Sequence, residues 1–452
     1  MKHDGHGAKS ALSTTRVVVL GFAFVILMGA LLLTLPISSA NGVSVGFFDA
    51  LFTSTSCVCV TGLVVVDTGT AFSTFGHVVI ILLIQIGGLG FMSVAMLYFM
   101  VLGKRVTLGT RLVIQESLNE DRIGGLVRMM RWVIFSALSI EAIGAILLST
   151  RFIPIYGFGK GLWYGVFHSI SAFCNAGFDL IGGYRNLMPF QYDPVVNLTI
   201  CSLIIIGGLG FAVLQDVKQN GGNFKKLRLH SKLVIVFTAI LLLGGTLIVL
   251  LVEWSNPATL GPMNFFQKLQ AAFFQSVTLR TAGFNTIDQA SLLPATKMIS
   301  VILMFIGASP ASTGGGVKTS TMAVLCLNVR MVARGRTEIA AFHRTINRET
   351  MQRALAIVMI GLCVLLGEIF ALSILEPQAE FLDLAFECAS ALGTVGVSSV
   401  GTPTLGGVSR FLLILAMYIG RVGPLTLTLA LGHKQAQTKN AFRYPEERVL
   451  VG

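Results

Sequence analysis

The sequence predicts an all-α membrane protein of four tandem units, each a helix, a short apolar segment and a second helix, in a pseudo-fourfold arrangement around one axis. Three observations lead there: a composition too apolar for a water-soluble globule, basic residues concentrated in alternate connections, and two short motifs that recur four times in register. With 54% hydrophobic and 12% charged residues over 452 positions, the chain carries about half the charge of an ordinary soluble domain, roughly 25%. Runs at 18–35, 77–102, 132–150, 195–215, 233–252, 354–375 and 411–432 are each long enough to cross the hydrocarbon as a helix, which takes roughly 17 to 25 residues. The first run lacks a small-residue cleavage site and continues to Pro36, so it reads as a span.

A net charge of +12 raises the question of nucleic acid, and the placement of the charge answers it. Segments 1–16, 103–131, 216–232, 330–353 and 433–452 hold 24 of the 33 Lys and Arg, whereas the alternate connections at 37–75, 151–194, 253–296 and 376–409 hold few. The positive-inside rule then puts both termini and three connections in the cytoplasm of a multi-pass plasma-membrane protein with no nucleic acid partner. Cys57, Cys59, Cys174, Cys201, Cys326, Cys363 and Cys388 lie in apolar stretches without zinc-like spacing and are expected to act as small hydrophobes.

The repeat is exact in one place. Ile86-Gly87-Gly88-Leu89-Gly90-Phe91 recurs unchanged at 206–211, with weaker copies starting at Ile306-Gly307 and Ile419-Gly420. Upstream lies a second marker: Thr61-Gly62-Leu63, Ala176-Gly177-Phe178, Ala282-Gly283-Phe284 and Val395-Gly396-Val397. The marker glycine and the Ile-Gly glycine are 25, 30, 24 and 24 residues apart, and Phe52, Phe167, Phe273 and Phe386 each stand ten residues before the marker glycine. The units are therefore drawn at 1–102, 103–217, 218–333 and 334–432, with a tail at 433–452.

Within each unit the stretch before the marker, 47–59, 162–174, 265–280 or 381–393, is too short to cross and return as helix and reads as re-entrant. Non-helical backbone at membrane depth is tolerated where protein buries it or where it lines a water-filled cavity. Four such segments around one axis would make a pore. A dehydrated alkali cation needs oxygens in place of its water, which rings of backbone carbonyls supply, and glycine admits the dihedrals that turn those carbonyls inward. The filter is assigned to Val60, Thr61 and Gly62; Asn175, Ala176 and Gly177; Thr281, Ala282 and Gly283; and Thr394, Val395 and Gly396. Helix packing through small residues is the alternative; it accounts for the Ile-Gly copies but not for a marker behind every half-length segment. The short helices would aim their partially negative C-termini at the pore centre. Asp67, Asp179, Asp288, Glu376, Glu380, Asp383 and Glu387 in the outer connections would concentrate cations, or simply be solvated.

The arrangement resembles the Trk/Ktr/HKT superfamily of potassium transporters. Val60-Thr61-Gly62-Leu63, Phe173-Cys174-Asn175-Ala176-Gly177-Phe178, Arg280-Thr281-Ala282-Gly283-Phe284-Asn285 and Gly393-Thr394-Val395-Gly396 are similar to the membrane subunit of bacterial Ktr systems, over nearly the whole chain. The resemblance implies a bacterial potassium uptake subunit with its own pore, a homodimer, and a cytoplasmic ring of nucleotide-binding regulatory subunits that carries ATP or ADP. No cofactor is expected in this chain, with K+ as the transported ion and Na+ as a candidate activator. Relatives with serine in the first marker tend to admit sodium; glycine in all four markers points to potassium, with a sodium-permeable or sodium-coupled transporter as the alternative. The tail, ending in Tyr444-Pro445-Glu446-Glu447, would stabilise the dimer by the same analogy, or be disordered.

The third and fourth units depart from the repeat. In the third, Gly307-Ala308-Ser309-Pro310-Ala311-Ser312-Thr313-Gly314-Gly315-Gly316 interrupts the second helix, because proline removes a hydrogen bond and glycine lowers helix propensity. Resemblance makes this a gating loop beneath the filter; a simple kink is the alternative. Lys318 follows, but Gly316-Val317-Lys318-Thr319 lacks the Gly-Lys step of a phosphate loop. In the fourth unit Arg421 sits inside the last span, where an arginine costs at least about 2.5 to 3.5 kcal/mol unless it meets water or a partner. A matching arginine in the family projects into the pore below the filter; a salt bridge to Glu141 or Glu368 is the alternative. A secondary carrier would show inverted repeats, whereas these four run in one orientation. A membrane enzyme would need a convergent set of His, Cys or carboxylates, which the sequence does not offer.

Overall fold

The computed structural model describes residues 14–90, 126–336, 338–424 and 426–427. The predicted continuation of the second run to residue 102, most of the 103–131 connection and the tail at 433–452 lie outside the described residues. The chain is mostly helical. The first quarter contains α1 (Thr14–Thr34), α2 (Phe47–Cys59), a short α3 (Thr68–Ala71) and α4 (Thr74–Leu89). The second contains α5 (Leu126–Tyr156), α6 (Phe158–Phe173), α7 (Pro194–Leu209) and α8 (Phe211–Gln219). Next come α9 (Leu229–Glu253), α10 (Phe265–Thr278), α11 (Pro294–Phe305) and α12 (Thr319–Ala333). A small antiparallel hairpin, β1 (Ala340–Ala341) and β2 (Arg344–Thr345), precedes α13 (Arg348–Leu375), α14 (Phe381–Leu392) and α15 (Gly407–Val422).

Among the described residues, four helices are long and apolar enough to cross a membrane alone: Arg16–Thr34, Val127–Tyr156, Leu229–Glu253 and Arg348–Leu375. Each packs on the short helix that follows it. In three of these pairs the contact is glycine on serine: a Cβ on Gly29, Gly144 or Gly245 would overlap the hydroxyl of Ser54, Ser169 or Ser276. Each hydroxyl donates back to the long helix, to Ile26 O at 2.7 Å, Glu141 O at 2.6 Å and Leu242 O at 2.8 Å. Small residues of this kind let helix backbones approach in lipid, where no hydrophobic force holds helices together. Entry points follow local chemistry. Asn264 and Gln267 form a reciprocal capping box on α10, and Asp193 caps α7 with Pro194 at its first position.

The second helices correct the sequence reading. The run 195–215 is not one span: α7 stops at Leu209 and α8 leaves at 92°. Gly90, Gly210 and Gly423 end α4, α7 and α15 with φ of 82°, 92° and 94°, a region that residues with a Cβ resist. Each stands three residues after the Ile-Gly glycine, and Pro310 occupies that place in the third copy. The break is thus common to all four copies and not confined to the last two. One further offset appears: Phe274, not Phe273, is the fully buried phenylalanine of α10, beside Phe52, Phe167 and Phe386. The third copy has one residue fewer between that side chain and its marker glycine.

Candidate ion pathway

The short helices α2, α6, α10 and α14 all end just before the predicted triplets, and the triplets share one backbone pattern. Their first residues, Val60, Asn175, Thr281 and Thr394, take left-handed φ of 56°, 59°, 64° and 51°, and their glycines take φ of 99°, 70°, 80° and 99°. Left-handed β-branched residues are true outliers, held here by local bonds. Thr61 N, Ala176 N, Ala282 N and Val395 N donate to Ser56 O at 2.8 Å, Ser171 O at 2.7 Å, Thr278 O at 3.0 Å and Ser390 O at 2.8 Å.

The four triplets converge. A Cβ on Gly62 would lie 2.5 Å from Ala176 O, one on Gly177 2.8 Å from Ala282 O, and one on Gly283 2.7 Å from Val395 O; one on Gly396 would overlap Thr61 O. Each glycine therefore abuts the middle carbonyl of the next segment, and the sequence of contacts closes into a ring. The eight predicted residues other than the glycines are fully buried, at 0% exposure.

Sequence reading missed the hydroxyls that brace this ring. Gly62 N donates to Ser56 Oγ and Gly396 N to Ser390 Oγ, both at 3.0 Å. In the other two segments the hydroxyl is the donor, from Ser171 to Phe178 O at 2.8 Å and from Thr278 to Phe284 O. The signal was present: a Ser six residues before the marker glycine in three copies, and a Thr five before it in the shortened one. Two ion pairs were equally legible. Lys297 and Arg410 each stand ten residues before an Ile-Gly glycine, and pair with Asp383 at 2.6 Å and Asp49 at 3.3 Å, thirteen residues before the next marker glycine around the ring.

Residues 307–316 form no helix between Phe305 and Thr319. Ile306 bridges to Val317 in parallel fashion, so the segment leaves and returns as a closed loop. Its backbone bonds to neighbours through Ser309 N to Gly208 O at 3.1 Å, Thr313 N to Gly207 O at 3.3 Å and Gly316 N to Gly420 O at 3.2 Å, while Ala311 O accepts from Phe211 N at 2.9 Å. Lys318 Nζ donates to Gly314 O at 2.8 Å. This is a folded loop, not a kink. Below it lies a cavity of about 760 Å³ whose lining includes Gly88, Gly90, Pro310, Gly314, Lys318 and Arg421.

Arg421 corrects another alternative. Its guanidinium donates to Thr313 O and Gly87 O, and at 3.4 Å to Gly88 O, not to Glu141 or Glu368. Glu141 instead accepts from Gln85 Nε2 at 3.0 and 3.1 Å. Both Glu368 oxygens are buried without a hydrogen-bond partner among the described residues.

The carboxylates predicted for the outer connections have different fates. Asp288 is exposed, Glu376 accepts from Gly406 N and Ser409, and Asp383 is paired with Lys297. Glu387 is not in a loop; it is fully buried in α14 and accepts from Ser398 and Thr402, both at 2.6 Å. Asp67 accepts from Gly183 N at 2.6 Å and Thr70 at 2.7 Å. Nearby Asp179, two residues beyond Gly177, is half-buried and its carboxyl is pushed up to about 6 by desolvation, with Asp67 adding to the shift against a bond from Ile181 N. Five cysteines are buried as expected, while Cys326 and Cys363 are exposed.

Comparison with known proteins follows the same lines. The family model described as "TrkH: Cation transport protein" matches residues 6–441. The chain is 45% identical over 437 residues to Ktr system potassium uptake protein B of Bacillus subtilis (strain 168), covering 97% of this chain and 96% of the relative. It is 39% identical over 447 residues to potassium/sodium uptake protein NtpJ of Enterococcus hirae, covering 98% of each. The crystal structure of the potassium transporter TrkH from Vibrio parahaemolyticus aligns with a TM-score of 0.74 at 18% identity, over 95% of this chain and 87% of that one, and so shares the fold.

Proposed function

The chain belongs to the TrkH family of cation transport proteins, and from that premise we propose that it is a multi-pass membrane subunit, not an enzyme, that takes up potassium through a pore lined by its four marker segments. The observation that carries this reading is the closed ring of four glycines, each against the next segment's carbonyl, because carbonyl rings replace the hydration shell of a dehydrated cation. The ends of α2, α6, α10 and α14 add four partially negative helix termini beside that ring. In this reading the units form a pseudo-fourfold pore, the loop 307–316 and Arg421 obstruct it below the filter, and both termini are cytoplasmic in a bacterial plasma membrane. A homodimer under a ring of nucleotide-binding subunits that sense ATP or ADP completes it; the Ktr system name of the Bacillus relative favours such a partner. Sodium permeation or coupling is the second reading, favoured by the potassium/sodium uptake name of the Enterococcus relative.

Growth rescue of a potassium-uptake-deficient bacterium at low external potassium, with and without sodium, tests both. Rescue by potassium alone supports the first reading, rescue that needs sodium supports the second, and no rescue with the protein in the membrane removes both.

Asp179 gives a pH test. A carboxyl that titrates near 6 is mostly charged at neutral pH and loses its charge as external pH falls through that value. Uptake at low potassium is expected to decline over that window, since the local excess of cations is lost with the charge. Asp179→Asn should remove the step; an unchanged profile in the variant would assign the titration elsewhere.

A further inference from the structure

Two rings of repeat-equivalent groups surround the loop 307–316, and among the described residues the loop's own contacts in both rings reach the second, third and fourth segments. The upper ring consists of the first residues of the four triplets. Thr313 Oγ1 donates to Phe173 O at 3.1 Å and lies 3.4 Å from Asn175 Oδ1, Gly314 sits so close to Thr281 that a Cβ would overlap its hydroxyl, and Gly315 N donates to Thr394 Oγ1 at 3.1 Å. Three consecutive loop residues thus meet three consecutive segments. The fourth member is Val60, whose side chain can neither donate nor accept.

The lower ring consists of carbonyls from the second helices. The loop takes Gly207 O and Gly208 O in the second copy and Gly420 O in the fourth, while Gly307 O of its own copy accepts from Arg280 at 3.2 Å. None of these loop bonds reaches the first copy. There Gly87 O and Gly88 O receive the guanidinium of Arg421. That guanidinium is a tethered cation on backbone carbonyls, the ligand type that a dehydrated alkali ion takes. Gly88, Leu89 and Gly90 line the cavity below together with Arg421, so this corner opens directly into it.

The geometry points to a one-sided gate: the loop pivots on segments two to four, and ions leave the filter at the first segment, past Val60 and the carbonyls of Gly87 and Gly88, once Arg421 withdraws from them. The inference rests on the filter and gate proposed above and adds the route. Two native thiols flank it. Cys59 precedes Val60, and Gly88 faces Cys174 so closely that a Cβ would lie 2.7 Å from its sulfur.

Silver ion, a thiophilic monovalent cation, is the probe. In liposomes carrying full-length protein whose two exposed thiols are removed by Cys326→Ser and Cys363→Ser, Ag+ is expected to block potassium flux irreversibly, and the further Cys59→Ser/Cys174→Ser double variant to resist it while Cys57, Cys201 and Cys388 remain. A block of the double variant at the parent's rate overturns the route. Thr313→Val supplies a second, isosteric test on the loop itself that touches neither the thiols nor the filter segments. Loss of the Thr313 hydroxyl's bond to the second segment should raise flux about two- to tenfold, the population shift that one hydrogen bond allows, with potassium over sodium selectivity unchanged. Flux at or below the parent's, or lost selectivity, in the folded variant would end the tether argument. If the parent passes no potassium at all, the functional reading fails instead.

Discussion

Gly396→Ala is expected to cut radiotracer potassium uptake by roughly ten- to a hundredfold with the protein still present in the membrane, since a left-handed φ costs a residue with a Cβ about 1 to 3 kcal/mol before any clash. At φ 99° the new methyl also overlaps Thr61 O, and it approaches Gly62 Cα to 2.8 Å. Relief requires the first and fourth segments to part, and their carbonyl spacing changes with them. Gly283→Ser acts on the same ring at φ 80°, where the Cβ meets Val395 O at 2.7 Å and Thr61 O at 3.1 Å. It is expected to lower the potassium over sodium uptake ratio, because a widened or rotated carbonyl ring no longer matches one ion. Parent-like uptake in Gly396→Ala, or an unchanged ratio in Gly283→Ser, would move the filter away from these segments.

The second large effect concerns Arg421. Arg421→Ala removes the guanidinium from Thr313 O, Gly87 O and Gly88 O. Hydrogen bonds from a charged donor contribute about 1.5 to 3 kcal/mol each, so even one such bond biased toward the obstructed state corresponds to about tenfold or more in its population. Liposome flux in Arg421→Ala should rise by about that factor, and removal of residues 312–316 should raise it as well by deleting the loop that the arginine holds. Flux at or below the parent's in folded protein would leave Arg421 with a structural task only, bridging the fourth, third and first copies.

Much of this molecule was legible because the repeat is physical. The marker glycines, the half-length segments and the non-helical stretch around Pro310 follow from φ preferences and helix length, and those are local properties. What was not legible depends on partners. For Arg421 the alternative to a pore-facing charge was a carboxylate, Glu141 or Glu368, yet three backbone carbonyls bind it, and no spacing rule announces a carbonyl freed by a helix break. The break itself was readable: Gly90, Gly210 and Gly423 share one repeat position, but a long apolar run masks a 92° turn because hydropathy does not register φ. The one-residue shortening before Gly283 was hidden by the adjacent pair Phe273 and Phe274, either of which satisfies a ten-residue search. Glu387 was misread as a loop residue because a carboxylate inside a short buried helix is uncommon, and its hydroxyl partners, Ser398 and Thr402, come from beyond the marker.

The shared position of Gly90, Gly210, Pro310 and Gly423 has a consequence for symmetry. The loop 307–316 lies at the repeat position where the other three second helices also end. Four identical chains would repeat any such loop four times over. In a single chain each copy is written separately, so the third alone carries the stretch 307–316 and the fourth alone carries Arg421, while the first and second keep Ile-Gly-Gly-Leu-Gly-Phe unchanged.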